Sequence, residues 1–217
     1  DAGKDALVAY FGPQKGHSQV MERWIPSLKL LRMDLFEPGY VSADGMWTKD
    51  SPYDRSTVRA DVQDIPLQAG ALDGVVILHV LEHVPDLLKA VQELRRVVRP
   101  GGFVQHETPC FSHGVKYKDP DYVDVHGPFK NCSAGNRNDR LCRQPDHRFA
   151  YRCTFVKHTF ESLGFACNSS VPDMSFADYV RFISPGDHSA QWHNEYSGFT
   201  LRHFAFNGRF RCVAPNI

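Results

Sequence analysis

Several features that would assign a protein to a class at once are missing from this 217-residue chain. No stretch approaches the roughly 18–20 consecutive apolar residues that a membrane-spanning helix needs. Basic and acidic residues number 25 each and form no long run of one sign, which argues against a nucleic-acid or membrane surface as the main partner. We therefore expect a soluble protein whose partner is a small molecule, with no nucleic-acid and no membrane partner.

The six cysteines contain no C-x-x-C pair, so the sequence predicts no zinc site and no other metal site. Sequons at Asn131 and Asn168, together with the even number of cysteines, are compatible with an oxidising secretory lumen. In that compartment Cys132 and Cys142, ten positions apart in one polar loop, would be able to form a disulfide. The alternative is a reducing cytosol in which the thiols stay free.

Short apolar runs and one helical pattern organise the first half of the chain. Buried strands are predicted at residues 6–12, 28–33, 57–61, 72–80 and 103–107. Between the last two, apolar residues recur at steps of four and three after Asp86, a suitable N-cap, which predicts a helix over residues 85–99. This alternation predicts an α/β fold with a doubly wound, mostly parallel sheet.

The second half predicts an insertion and an antiparallel edge. Residues 110–150 are rich in turn formers and show little periodicity, which favours an inserted loop or lid. A helix over residues 155–163 and a strand near residues 166–171 are expected to follow. Residues 201–206 and 209–213 flank Asn207-Gly208, a strong hairpin signal, so an antiparallel C-terminal hairpin is predicted.

An ordered set of motifs runs through residues 57–109: DVQDIPL at 61–67, LDG at 72–74, HVLEHVPD at 79–86, ELRRV at 93–97 and RPGG at 99–102. This set resembles the class I S-adenosylmethionine-dependent methyltransferases, particularly the type 11 methyltransferases that act on small molecules. The resemblance implies one methyltransferase-like domain over residues 1–217 with a Rossmann-like, seven-stranded sheet. It also implies S-adenosylmethionine as the cofactor, bound across the carboxyl ends of the strands.

The resemblance implies roles for three residues near the third and fourth strands. Asp61 would accept a hydrogen bond from the adenine amino group, and Val62 would supply a backbone N–H beside it. His79 would face the methionine part of the cofactor. A purely structural role for Asp61, as a turn carboxylate, is the alternative.

The glycine-rich turn that the family places after the first strand is degenerate here. Gly12 and Gly16 are its candidates, but Gln14 stands where a middle glycine is usual and Tyr10 stands where an acidic residue is common. Asp34 lies about 20 residues further on, the spacing expected of a carboxylate that binds the ribose hydroxyls.

Asp44 is the rival ribose ligand if the second strand lies later in the chain.

On the acceptor side, His83, His106 and His147 are candidates for a base that removes a proton from the acceptor. Residues 146–151 resemble an Asp-His-x-x-x-Tyr stretch of some type 11 methyltransferases, which makes Arg148 and Tyr151 candidate acceptor ligands. Arginine also suits a carboxylate or phosphate on the acceptor.

The expected function is methyl transfer to an O, N or S atom of a small molecule. The alternative is a catalytically inactive methyltransferase-like binding or scaffold protein, because the glycine-rich turn is degenerate. A nicotinamide-dependent enzyme is disfavoured, since no complete G-x-G-x-x-G is present. The resemblance implies the cytoplasm, where S-adenosylmethionine is made, and hence six free thiols; the secretory lumen is the alternative.

Overall fold

The computed structural model describes residues 5–13, 15–35, 58–112, 122–124, 149–170, 175 and 207–216. Within these ranges no helix is long and apolar enough to cross a membrane. Several predictions fall outside the described residues: most of the 110–150 insertion, residues 201–206, Asp44, Cys132, Cys142, His147 and Arg148.

The described part contains three helices and nine strands. In chain order they are β1 (Ala6–Phe11), α1 (Lys15–Trp24), β2 (Leu28–Asp34), β3 (Val58–Arg59), β4 (Leu72–Leu78), α2 (Leu87–Val97), β5 (Val98–Phe111), β6 (Tyr122–Asp124), β7 (Phe149–Arg152), α3 (Cys153–Ser162), β8 (Ala166–Ser170) and β9 (Asn207–Val213). A short 3-10 turn, Leu81–His83, lies between β4 and α2.

The strands form one mixed sheet in which the order is β3-β2-β1-β4-β5-β9-β8. The first five are parallel, whereas β9 runs antiparallel to both β5 and β8. The short strands β7 and β6 continue the sheet from the far end of β5. The predicted mostly parallel, Rossmann-like sheet with an antiparallel C-terminal strand pair is thereby confirmed.

The position of the C-terminal turn differs from the prediction. Asn207 and Gly208 lie inside β9, opposite Pro109 and Thr108 of β5, and do not form a hairpin turn. A Cβ on Gly208 would lie 2.5 Å from the Sγ atom of Cys110. Glycine is therefore needed at this position because a sulfur atom packs against its backbone.

Helix α2 packs on the sheet through the apolar face that its sequence predicts. Leu87, Val91 and Leu94 are buried in the hydrophobic core. The Asp86 carboxylate caps the helix by accepting a hydrogen bond from the Lys89 backbone N–H at 3.0 Å. The helix ends at Val97 and β5 begins at the next residue, so β5 is much longer than the predicted strand at residues 103–107.

Two disulfides tie together the C-terminal half of the sheet. Cys110, near the end of β5, is bonded to Cys153 at the start of α3. Cys167 and Cys212 are directly opposed residues of β8 and β9. The expectation that all six thiols stay free is wrong for these four cysteines, because their pairing depends on strand register between segments that are distant in the chain.

We predict that replacing Cys167 and Cys212 together by alanine lowers the free energy of unfolding by about 2–4 kcal/mol, because the disulfide closes a long loop and restricts the unfolded chain. The sequence separation of the two cysteines is 45. Urea unfolding under non-reducing conditions measures the difference. With a reductant present, the difference between the two proteins should largely disappear; equal stability without reductant would contradict the prediction.

Candidate functional site

The candidate site lies where the order of the parallel strands reverses, between β1 and β4. Open α/β sheets bind ligands at the carboxyl ends of their strands at such a reversal. Gly12 follows β1, Asp34 ends β2, Asp61 lies just beyond β3, His79 follows β4 and Glu107 lies in β5. Four residues predicted from the sequence to bind the cofactor therefore share one edge of the sheet with Glu107.

Gly12 occupies a turn that only glycine accommodates without strain. Its φ is +64°, and a Cβ there would lie 2.8 Å from Cγ2 of Val80 and 3.0 Å from the carbonyl oxygen of Leu78. The Gly12 N–H donates to the carbonyl of Met33. The missing side chain thus allows the turn after β1 to pack against the end of β4. Gly16, the other predicted glycine, is the second residue of α1.

The two carboxylates at the ends of β2 and β3 have different surroundings. Asp34 is partly exposed, and its carbonyl oxygen accepts from the Ala60 N–H at 2.8 Å. Asp61 Oδ1 accepts from the backbone N–H of Gln63 at 2.8 Å. Asp61 therefore braces the turn after β3, which is the structural role that the sequence also allowed. The Val62 side chain beside it is buried.

His79 is held in an unusual conformation between two carboxylates. Its φ is +55°, rare for a residue other than glycine, and its N–H donates to the Glu107 carbonyl at 2.9 Å. Its Nδ1 lies 3.4 Å from Glu82 Oε1, and its Nε2 lies 3.8 Å from Glu107 Oε1. Burial opposes protonation, but Glu82 and Glu107 outweigh it and raise the pKa of His79 above its usual value.

Glu82 is a buried carboxylate that lies between His79 and Thr108. Its side chain is fully inaccessible to solvent, and its Oε2 accepts a hydrogen bond from Thr108 Oγ1 at 2.9 Å. Glu107 also lies 3.3 Å from the Nε of Arg209 on β9. We call His79, Glu82, Glu107 and Thr108 the His79 cluster.

A second histidine, His17, faces the same region and was missed by the sequence analysis. Its Nδ1 lies 3.2 Å from the hydroxyl of Tyr10, the residue that replaces the acidic residue common at that position. Burial lowers the pKa of His17; Glu107 acts in the opposite direction, and His79 lowers it further. The pKa values of these two nearby imidazoles are therefore shifted in opposite directions. The signal for His17 in the sequence was Tyr10, which needs a polar partner once buried.

His106 does not reach the site, which corrects its prediction as a catalytic base. Its side chain is fully buried, with its ring stacked between those of Phe160 and Phe210 at 4.5 and 4.4 Å. Burial lowers the pKa of His106 to about 3. Because neighbouring residues of a strand point to opposite faces, Glu107 faces the site while His106 enters the core.

Two other predicted residues lie near the 3-10 turn. His83 is its last residue, is partly exposed, and its N–H donates to the Val80 carbonyl at 3.0 Å. Tyr151, predicted as an acceptor ligand, has only 2% of its surface exposed and packs against the rings of Phe149 and Phe155. Tyr151 is thus a buried residue of β7, and its role as an acceptor ligand stays a prediction.

Comparison with known proteins gives a family match for part of the chain. Residues 20–105 match a family described as a methyltransferase domain. A demethylmenaquinone methyltransferase from Desulfitobacterium hafniense is 42% identical over 57 residues. That stretch is 25% of this chain and spans 22% of the length of the relative.

Solved structures resemble the chain over nearly its whole length. The YcgJ protein from Bacillus subtilis has a TM-score of 0.55 at 14% identity, with 97% of this chain and 92% of that chain covered. Phosphoethanolamine N-methyltransferase 2 from Haemonchus contortus, in complex with S-adenosyl-L-methionine, has a TM-score of 0.57 at 11% identity, with 99% and 50% covered. At such identities, the likeness establishes the fold alone.

We predict that His106 makes the protein less stable in mild acid. Its pKa is about 3 in the folded protein and about 6.5 when unfolded, so between these values only the unfolded chain binds the proton. The free energy of unfolding should therefore fall by about 1–2 kcal/mol between pH 7 and pH 5 on account of this residue. His106→Leu, of similar volume, should lack this loss in urea unfolding at the two pH values.

His79→Gln is a control for which the expected effect of pH on stability has the opposite sign. The raised pKa of His79 means that its contribution is complete below about pH 6.5 and is lost as the pH rises through the folded value. This variant should therefore lose stability relative to the wild type mainly at the lower pH. The same pH dependence in the wild type and His106→Leu would contradict the assignment of His106.

We also predict that Glu82→Gln lowers the pKa of His79 as followed by NMR titration of the imidazole. Glu107→Gln should lower it less, because Glu107 lies further from the ring and contributes less to the shift. The two variants remove one negative charge each, so they control for net charge. A larger effect of Glu107→Gln would show that Glu82 is not the principal partner.

Proposed function

We propose that this chain, which has the class I methyltransferase fold and carries a methyltransferase domain, transfers a methyl group from S-adenosylmethionine to a small-molecule acceptor. The observation that carries the proposal is the match of residues 20–105 to the methyltransferase domain family. Both methyltransferases named above act on small molecules, as their names state, which supports an acceptor of that size. The methylated atom is proposed to be O, N or S.

The residues at the carboxyl edge fit the chemical groups of this cofactor. Asp34 is proposed to bind the ribose hydroxyls, with Asp61 and the Val62 N–H on the adenine. Two observations support these roles. Asp34 and Asp61 lie at the carboxyl ends of the adjacent parallel strands β2 and β3, where ligands of such sheets bind. Their carboxylates are hydrogen-bond acceptors, which the hydroxyl and amino groups of a nucleoside need. Gly12 is proposed to leave its backbone open to the cofactor, and Gly16 to begin the helix behind it.

The His79 cluster supplies charges that suit the methionine part of the cofactor. We propose that the protonated His79 donates to the methionine carboxylate, while Glu107 accepts from the methionine ammonium group. Glu82 is proposed as a positioning residue that raises the pKa of His79 and orients its ring. The strained φ of His79 is consistent with a side chain fixed for binding.

S-adenosylmethionine supplies an activated methyl group, so the protein has mainly to align the acceptor and exclude water. Where the acceptor carries a proton, we propose His17 as the group that removes it, since its imidazole is neutral at neutral pH. His83 remains a second candidate base. His147 and Arg148 stay sequence-based proposals for the acceptor side, within the insertion at residues 110–150 of a single domain over residues 1–217.

The alternative function, an inactive methyltransferase-like binding or scaffold protein, is favoured by the degenerate turn in which Tyr10 contacts His17. Calorimetric titration with S-adenosylmethionine and S-adenosylhomocysteine separates the possibilities. Binding of both, with methyl transfer to some member of a panel of small nucleophiles, supports an enzyme. Binding without transfer supports an inactive binding protein, and binding of neither overturns the enzyme and supports a scaffold protein.

We further propose that the chain folds in an oxidising compartment, the secretory lumen, and not in the cytoplasm. All four described cysteines are in disulfides, which are rare in proteins of a reducing cytosol. Mass spectrometry of protein alkylated inside cells tests this. Linked peptides containing Cys110–Cys153 and Cys167–Cys212 support the oxidising compartment, whereas alkylation of all six cysteines would support the cytoplasm.

Asp34→Ala is expected to weaken binding of S-adenosylmethionine by about 1–3 kcal/mol, because a charge-assisted hydrogen bond to the ribose is lost. Asp5→Ala is the matched control: Asp5 precedes the opposite end of β1 and forms an exposed ion pair with Lys29. Its binding should be unchanged. Asp44→Ala should also have little effect; a larger effect of Asp44→Ala than of Asp34→Ala would make Asp44 the ribose ligand.

A further inference from the structure

The strand β8 presents an exposed polar segment at one end of the sheet. Within the described residues β8 pairs only with β9, so its other edge faces away from the sheet. Asn168, Ser169 and Ser170 are all exposed. Asparagine is disfavoured in strands, so strand preference does not explain why Asn168 lies here.

These three residues form the tripeptide Asn-Ser-Ser, which is an acceptor for N-linked glycosylation because its middle residue is not proline. Such tripeptides occur by chance in many chains, so the sequence alone decides nothing. Here two structural observations agree with it. The asparagine side chain is exposed, and the preceding residue, Cys167, is disulfide-bonded to Cys212.

The disulfide and the tripeptide point to the same compartment by independent chemistry. Protein disulfides form and persist where the surroundings are oxidising, and N-linked glycans are added to chains that enter the secretory lumen. Cys167 and Cys212 are opposed in strand register, so their bond follows from the fold and does not depend on the tripeptide.

We propose that Asn168 carries an N-linked glycan. In the reaction, the amide nitrogen of Asn168 forms a bond to the anomeric carbon of an oligosaccharide that is attached to a lipid pyrophosphate. The bond between that carbon and the phosphate oxygen breaks, the lipid pyrophosphate leaves, and the amide gives up one proton. No oxidant or reductant is required. The inference rests on the proposed oxidising compartment but not on the proposed methyl transfer.

Asn168 lies on an edge strand of the sheet. In the sheet order β1-β4-β5-β9-β8, the strand β8 lies four strands from β1, or about 19 Å at the usual spacing between strands, and two strands from β5, which carries Glu107, or about 10 Å. A glycan here would shield the outer edge of β8, whose exposed backbone groups are otherwise a template for pairing with another chain. We therefore expect it to affect solubility.

The test uses the full chain secreted from a eukaryotic cell line. Treatment with an amidase that removes N-glycans, in heavy-oxygen water, should convert Asn168 to labelled aspartate, which mass spectrometry detects in the peptide containing it. Ser170→Ala breaks the tripeptide and should remove one glycan-sized mobility shift. Ser169→Ala is the matched control, because it changes an exposed serine of the same strand while the tripeptide remains intact.

The outcomes separate this proposal from the others. A disulfide-bonded protein with an unmodified Asn168 would overturn the glycan alone, and free thiols would overturn it together with the compartment. Asn168→Gln should reproduce the loss seen with Ser170→Ala, whereas Asn131→Gln, at the other sequon, should leave the Asn168 label in place. Binding of S-adenosylmethionine is measured separately on the glycosylated and deglycosylated protein, so failure of the proposed function remains distinguishable.

Discussion

Strand β4 pairs in parallel with both β1 and β5, and the position of every candidate site residue depends on these two pairings. The register aligns Phe11 with Ile77 and Leu78 with Glu107, so β1 and β4 finish close to the level of Glu107, beyond which β5 continues to Phe111. Parallel strands cannot be joined by tight turns, and each connection must leave from this edge. Strand pairing therefore places three features at this edge: the turn at Gly12, the His79 cluster and the start of α1.

The electrostatics of the site follow from strand alternation in β5. The His106 ring is stacked in the aromatic core, whereas the Glu107 carboxylate lies near His79 and Arg209. Two histidines that lie close in the fold therefore have their pKa values shifted in opposite directions. Burial dominates for His106, although the charge of Glu82 acts in the opposite direction, whereas Glu82 and Glu107 together outweigh burial for His79.

Local patterns were sufficient to predict much of the fold. The cap at Asp86, the apolar face of α2 and the buried runs of β1 and β4 each depend on residues that are close in the chain. What could not be predicted depends on pairing between distant segments. The local pattern of Asn207-Gly208 predicts a turn, but β9 lies between β5 and β8, and its pairing with β5 extends it through both residues.

The same limit applied to the site. Ordered motifs indicated Asp61 and His79, spacing after the glycine-rich turn indicated Asp34, and the structure places all three at one edge of the sheet. His17 and Glu107 were missed, since neither belongs to a motif and both gain meaning from contacts across strands. The disulfide partners were missed for a related reason: their sequence separations are 43 and 45, and only the register shows which cysteines oppose each other.

The position of β9 between β5 and β8 also determines when the sheet can be completed during synthesis. Residues through Phe111 contain all five parallel strands, but the edge of β5 stays without its partner until the last segment of the described chain has been made. During that interval a long strand edge is open to wrong partners, the situation in which nascent chains aggregate or recruit chaperones. Completion of the sheet is therefore a late, non-local event, and the final residues of β9 act on a sheet that is already largely assembled.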